Sequence, residues 1–218
     1  MTTHRLHGGG RFRTWLGTRL GGDVETGDRA LRRILHGAGV AILAYYLFPP
    51  NLLVIVPNFV IPLLAVSVIF VLEALRLRGT IEIPTIRPYE QHRLASYAYF
   101  AIALVLAVLL FPPPIAAAVV LGTSLIDPLI GELRRPNPYR AAYPWVPFAL
   151  YAGLAYVAFI GFGAWAPVPA LSLAVVAAVL ALLVERPKWT LVDDDLAMTL
   201  IPAVAVYAIV WISPGFVH

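Results

Sequence analysis

Four aspartates carry the most concentrated chemistry in this 218-residue chain. Asp193, Asp194 and Asp195 stand side by side in "WTLVDDDLAMTLIP", at the mouth of an apolar segment, and Asp127 lies inside another, "VVLGTSLIDPLIGELRR". Adjacent carboxylates repel one another and lose solvation when buried, so they stay ionised only beside strong positive charge. One aspartate suffices to cap a helix and complement its dipole. Three in a row, together with a carboxylate at membrane depth that has to face a bundle interior or a cavity, point instead to a bound cation. Cysteine is absent, which excludes disulfides, thiolate nucleophiles and cysteine-ligated zinc or iron–sulfur centres. Oxygen donors without sulfur suit a hard ion, and Mg2+ fits because it accepts partial protein coordination alongside phosphate oxygens. The expected metal ligands are Asp127, Asp193 and Asp194.

Other polar residues sit at the borders of apolar segments. In "VIFVLEALRLRG", Glu73 and Arg76 are three apart on one helical face, within pairing reach. In "LRRILHGAGV", Arg32 and His36 share a face, and Gly37 and Gly39 would let another helix or a ligand approach the backbone closely. Pro128 follows Asp127 and loosens the helix there; Arg134 and Arg135 come just after. Acids for a metal and arginines for phosphate, both bordering an apolar bundle, suggest a phosphorylated substrate arriving from water and an apolar partner arriving from lipid.

The elements that position these residues follow from hydropathy. The chain is 60% hydrophobic and 13% charged, where a soluble domain carries about a quarter charged residues. We expect an all-α, polytopic transmembrane helix bundle of about seven spans, near 33–49, 52–75, 95–111, 114–131, 144–163, 167–185 and 196–213. Residues 1–30 form a basic N-terminal arm and 31–218 a single transmembrane domain. The connections "FPPN", "FPPPI" and "GAWAPVP" are uncharged, whereas all sixteen Arg and Lys residues fall in residues 1–33 and in 76–93, 132–140 and 185–195. The positive-inside rule then puts the N-terminus in the cytoplasm and the C-terminus outside. The arm lacks the apolar core of a cleavable signal peptide and is expected to lie on anionic lipid through its arginines and Trp15. The sequence pI of about 9.6 reflects these topology-setting arginines, so no nucleic-acid partner is expected. One lysine against fifteen arginines hints at a GC-rich genome, and we expect a prokaryotic cell membrane.

The segments "RRILHGAGV", "LEALR", "IRPYEQHRLASYAYFAIALVLAVLLFP" with its internal Glu90, "IDPLIGELRR" and "VDDDLAMTLIP" follow one another between about residues 30 and 205. In that order they resemble the motifs of the dolichol kinase, phytol kinase and polyprenol kinase family, membrane enzymes that use a nucleoside triphosphate, commonly CTP, to phosphorylate a long isoprenoid alcohol. The resemblance implies Mg2+ and CTP or ATP, an isoprenoid alcohol acceptor, and catalytic roles for Asp127, Asp193, Asp194, Arg76 and His36. Arg33, Arg134, Arg135, Arg140 and Lys188 would bind donor phosphates, with Glu73 holding Arg76. Where the family has a Lys-Thr-x-Glu-Gly stretch this chain reads "LRRPNPYRAAYPWVPF", and Asp195 stands in place of an Asn. Two alternatives remain open: a cytidylyltransferase forming a CDP-lipid, and an isoprenoid-phosphate binding protein or transporter without turnover. Charge confined to one face argues against alternating access. A homo-oligomer is compatible with this reading.

Overall fold

The computed structural model describes residues 8–20, 24–52, 56–81, 83, 86, 90–136, 138–185, 193–213, 215 and 217. Among them eight α-helices carry the chain: α1 Gly8–Arg19, α2 Val24–Ala38, α3 Val60–Leu77, α4 Ser96–Leu110, α5 Pro113–Leu133, α6 Trp145–Gly163, α7 Pro167–Glu185 and α8 Asp194–Ile212. Two 3₁₀ segments, Gly39–Leu47 and Arg140–Ala142, and a two-residue antiparallel pairing of Asn51–Leu52 with Val56–Pro57 complete the elements. The punctuation is chemical. Prolines at the first positions of α5 and α7 lack only an amide that a helix start leaves unbonded anyway, and α6 ends on left-handed Ala164 (φ 49°).

Five helices, α3 and α5 to α8, are long and apolar enough to cross a membrane. The architecture is therefore an all-helical bundle compatible with a multi-pass membrane protein. These five coincide with five of the expected spans to within a few residues, α3 starting later than its expected segment. The sixth, α4, is equally apolar but has 15 residues, about 22 Å of helix against roughly 30 Å of hydrocarbon. The segment expected near 33–49 is divided, with α2 ending at Ala38 and the tighter 3₁₀ winding following to Leu47. Polar groups explain the division: α2 keeps Arg29, Arg32, Arg33 and His36 on one face, and the apolar stretch begins only after it. Gly39 marks the junction, because a Cβ there would stand 2.6 Å from the Phe100 ring and 2.9 Å from Leu104 of α4. Gly37 faces open space, so only Gly39 serves close approach.

Helix α5 is the centre of the bundle: 67% of its apolar window is buried, against 17% for α3 at the periphery. The core is built from small residues on α5, α6 and α7, including Ala116, Ala117, Ala155, Ala174 and Ala178, which bring backbones together where lipid offers no hydrophobic drive. Gly122 is the tightest point, since a Cβ would lie 2.2 Å from the ring of buried Tyr151 on α6. Gly122→Ala is expected to lower stability by about 1–3 kcal/mol through overpacking, read as a lower melting temperature in detergent; an unchanged melt would show that the Tyr151 ring can give way.

The C-terminal ends of α3, α5 and α7 and the N-terminal ends of α4, α6 and α8 gather at one end of the bundle, together with α2. An ion pair between Arg134 at the end of α5 and Glu185 at the end of α7 ties this face, the Nη1 to Oε1 distance being 2.6 Å, and Arg134 also donates to the Tyr143 hydroxyl at 2.7 Å.

Candidate functional site

Two adjacent helices build the centre of the polar end. On α5, Thr123 and Asp127 lie one turn apart on the inner face; on α8, Asp195 and Thr199 do the same. The Thr199 hydroxyl lies 2.9 Å from that of Thr123 and 2.8 Å from the Asp195 carbonyl, all fully or almost fully buried. This hydroxyl contact pins α5 to α8 in the register that brings Asp127 and Asp195 together. Pro128 and Pro202 sit inside the same two helices, leaving backbone groups near the site without their usual ladder partners.

His36 of α2 closes the group. Its Nε2 lies 3.3 Å from Oδ1 of Asp195 and 3.8 Å from Oδ2 of Asp127, while Nδ1 faces the Arg32 carbonyl at 3.1 Å. A carbonyl only accepts, so Nδ1 carries the proton and donates to it. The Nε2 edge then meets two carboxylates, and one proton has to lie between them and the ring, on Nε2 or on an aspartate. The ring also stacks on Phe100, centroids 4.4 Å apart.

The three aspartates at the start of α8 separate into distinct roles. Asp193 caps the helix, accepting from the Asp195 amide at 3.2 Å, and contacts the Ser96 hydroxyl at 3.1 Å; that hydroxyl also contacts Glu90 at 2.7 Å. Burial, with the neighbouring charges of Asp195 and Asp194, pushes the Asp193 carboxyl up to about 7, against the lowering effect of the Asp195 amide and Ser96. Asp195 is 4% exposed and turns inward to His36 and Asp127. Asp194 lies between, at the wall of both cavities described below. Ligand atoms of His36, Asp127 and Asp195 all fall within 4.8 Å of one another, and so do those of Asp193, Asp194 and Asp195. A donor set of carboxylate oxygens and one imidazole, without sulfur, fits a hard or borderline dication. Asp195 is the aspartate of the triplet that reaches the group of His36 and Asp127, whereas Asp193 makes the cap interaction at the start of the helix.

Two cavities of opposite character meet at this group. A cleft of about 160 Å3 is lined by Arg29, Arg32, Arg33 and Arg135 together with Glu132, Glu185, Asp127 and Asp194. A groove of about 360 Å3 is lined mainly by Leu35, Ile69, Leu72, Ile83, Ile86, Phe100 and Ala101, with Ser96, Glu90 and Asp195 at its polar end. Arg32, His36, Asp127 and Asp194 belong to both. The wall between an arginine-lined cleft and an apolar groove is one side chain thick.

Several expected site residues lie elsewhere. Arg76 is 8% exposed and all five of its N–H groups are taken. They go to both oxygens of Glu73, at 2.8 and 2.5 Å, and to the carbonyls of Glu90, Gln91 and Arg93 at 3.1, 3.4 and 2.6 Å. Glu73 also accepts from the Ala95 amide at 2.8 Å and from the Tyr97 hydroxyl. Arg76 therefore holds the loop that leads into α4 and has no donor left for a transferred group, unlike the catalytic role expected for it, while Glu73 holds Arg76 as expected. Arg134 is committed to Glu185 and Tyr143, its guanidinium 5.0 Å above the Tyr143 ring, and lines neither cavity. Arg140 is exposed on the short 3₁₀ turn, away from both. Lys188 lies outside the described residues. Arg33 and Arg135 do line the cleft. Ser96, Glu132, Glu185 and Asp195 also line the two cavities and were not among the expected site residues. The signal for Asp195 was available in its spacing from Thr199, a buried hydroxyl one turn on. No family model, no curated protein and no solved structure matches the chain.

Proposed function

We propose that this protein is a membrane-embedded phosphotransferase of the polyprenol kinase type. It transfers the terminal phosphoryl group of CTP, or of another nucleoside triphosphate such as ATP, to a long-chain isoprenoid alcohol. The observation that carries the reading is the meeting of the arginine-lined cleft and the apolar groove at one wall of carboxylates and imidazole. The likeness of five ordered motifs to that family points the same way. The finer topology belongs to the same proposal: seven spans, counting the divided segment after α2 and the short α4, with the N-terminus and the site in the cytoplasm.

Donor phosphates lie in the cleft against guanidinium groups, which bind phosphate bidentately. The alcohol lies in the groove with its hydroxyl at the polar end, near Ser96 and Asp195. The hydroxyl oxygen attacks the terminal phosphorus, the bond to the bridging oxygen breaks, and the nucleoside diphosphate leaves. Asp127 accepts the hydroxyl proton, and His36, fixed by the Arg32 carbonyl, holds the shared proton beside it. Asp127, Asp194 and Asp195 would hold a Mg2+ ion, which supplies charge neutralisation on the phosphates. Phosphoryl transfer asks mostly for this positioning and charge stabilisation.

The test is purified protein with labelled CTP or ATP and geranylgeraniol, phytol and dolichol in turn. Nucleoside diphosphate plus a lipid monophosphate is the expected outcome. Release of pyrophosphate would assign the cytidylyltransferase alternative, and binding without turnover would assign a lipid-phosphate carrier. A pH effect accompanies the reading. The Asp193 carboxyl, pushed up to about 7, lies beside the proposed cation site as the cap of α8 and adds charge there only when ionised, so apparent Mg2+ affinity should be flat well above pH 7 and fall by no more than about tenfold in all as the pH drops through 7. Calorimetric titration between pH 5.5 and 8.5 checks this, and Asp193→Asn should flatten the profile.

A further inference from the structure

The arginine cleft has a feature that phosphate binding alone does not require. Arg33 of α2 forms an ion pair with Glu132 of α5, and Nε of Arg135 lies 3.7 Å from the same Glu132 oxygen. One carboxylate thus draws two guanidiniums from opposite sides of the cleft. All three side chains are about half exposed, at 43, 41 and 47%. Exposed pairs of this kind contribute little, commonly under about 1 kcal/mol each, so an incoming anion of higher charge can take both arginines from the glutamate. In the same cleft, Arg29 and Arg32 continue the face of α2. Arg29 and Arg33 are one turn apart, about 6 Å along the axis, which is longer than one phosphate group and suits two linked ones.

We propose that the cleft is a diphosphate-binding rail formed by Arg29, Arg32, Arg33 and Arg135, and that Glu132 is a built-in competitor holding Arg33 and Arg135 until the anion displaces it. This rests on the reading of the cleft as the donor side and extends it in two ways. It assigns Arg29 and Arg32, which no motif singled out for phosphate, and it predicts that removing a cleft carboxylate improves binding. A half-exposed glutamate between two arginines has an alternative role as a clamp that merely joins α2 to α5. The two roles differ in sign. Loss of a clamp loosens the cleft and weakens anion binding; loss of a competitor removes a negative charge from between two guanidiniums and strengthens it.

The experiment is calorimetric titration of the full-length protein, in a detergent free of anionic lipid and at fixed excess Mg2+, with inorganic pyrophosphate. Glu132→Gln keeps the side-chain shape and is expected to tighten pyrophosphate binding about threefold to tenfold. Arg29→Gln and Arg32→Gln are each expected to weaken it about tenfold or more. Arg78→Gln, at the exposed end of α3 and outside both cavities, serves as the control and is expected to leave it unchanged. Orthophosphate is expected to bind more weakly than pyrophosphate to every variant. Unchanged or weaker binding by Glu132→Gln overturns the competitor role, and unchanged binding by both Arg29→Gln and Arg32→Gln overturns the rail. Repeating the titration with added phosphatidylglycerol separates a soluble ligand from a lipid headgroup: displacement of pyrophosphate by the lipid would assign the cleft to headgroups and overturn the proposal. Because the readout is binding, these results stand whether or not the protein transfers a phosphoryl group. Failure of the kinase assay with the expected binding pattern would remove the activity and keep the rail.

Discussion

Asp195→Asn is expected to lower phosphoryl-transfer turnover by about 10³-fold while leaving the fold intact, and Asp127→Asn is expected to do the same. Both substitutions are isosteric. Asp195 meets His36 at 3.3 Å and, with Asp127, encloses the imidazole edge, where the proposed cation and shared proton would be held. Losing either carboxylate removes both charge and a proton acceptor at the point where the cleft meets the groove. Asp193→Asn should behave differently. Asn caps helices as well as Asp does, so its effect should remain within about tenfold on turnover. The comparison is made by measuring kcat and melting temperature for all three variants in parallel. A larger loss at Asp193 than at Asp195 would return the ligand role to Asp193 and show that the inward aspartate is only a packing group. The Thr199 hydroxyl provides a second check. Thr199→Val removes the contact with Thr123 without changing side-chain shape greatly, so it should reduce turnover through misalignment of the two carboxylates, with donor KM little changed.

The second large effect is on stability. Arg76→Ala is expected to cost about 3–5 kcal/mol, the range for breaking a buried ion pair, because Glu73 would be left buried without its partner. The measurement is thermal unfolding in detergent. Arg76→Lys should recover only part of this loss: an ammonium offers three donors on a point charge, whereas the guanidinium serves two carboxylate oxygens and three loop carbonyls. Replacing both members with apolar residues, Glu73→Leu with Arg76→Met, often rescues a simple buried pair. Here it should not. The carbonyls of Glu90, Gln91 and Arg93 and the amide of Ala95 would all lose their partner. A double variant as stable as the parent would mean that water or other groups satisfy the loop and that the network is dispensable.

The sequence made some of this legible and hid the rest for physical reasons. Apolar length and uncharged proline-rich connections placed α5, α6, α7 and α8 within a few residues, since burial in hydrocarbon depends on local composition. The segment near 33–49 read as one span because hydropathy averages over the change from α-helix to 3₁₀ winding at Gly39, which is fixed by close contact with Phe100. Asp127 stood out because a carboxylate inside an apolar segment needs a partner from elsewhere. The choice among Asp193, Asp194 and Asp195 could not be read from adjacency. Neighbours on a helix point about 100° apart, and which one faces inward depends on where the helix starts, a point set by Ser96 and the cap. The Glu73 and Arg76 pair was visible at its three-residue spacing. Its purpose was not, because the carbonyls that saturate Arg76 come from a loop 14 to 17 residues away.

A partition only one residue thick has an energetic consequence for any reaction between a water-soluble donor and an oil-soluble acceptor. Drawing a hydrocarbon chain out of lipid costs about 0.8 kcal/mol per methylene, so extracting some twenty carbons would cost about 16 kcal/mol, as much as many enzymes gain over the whole uncatalysed barrier. With Arg32, His36, Asp127 and Asp194 forming the shared boundary, each molecule keeps its own solvent along its length. Only the two reacting ends have to give up their surroundings and touch.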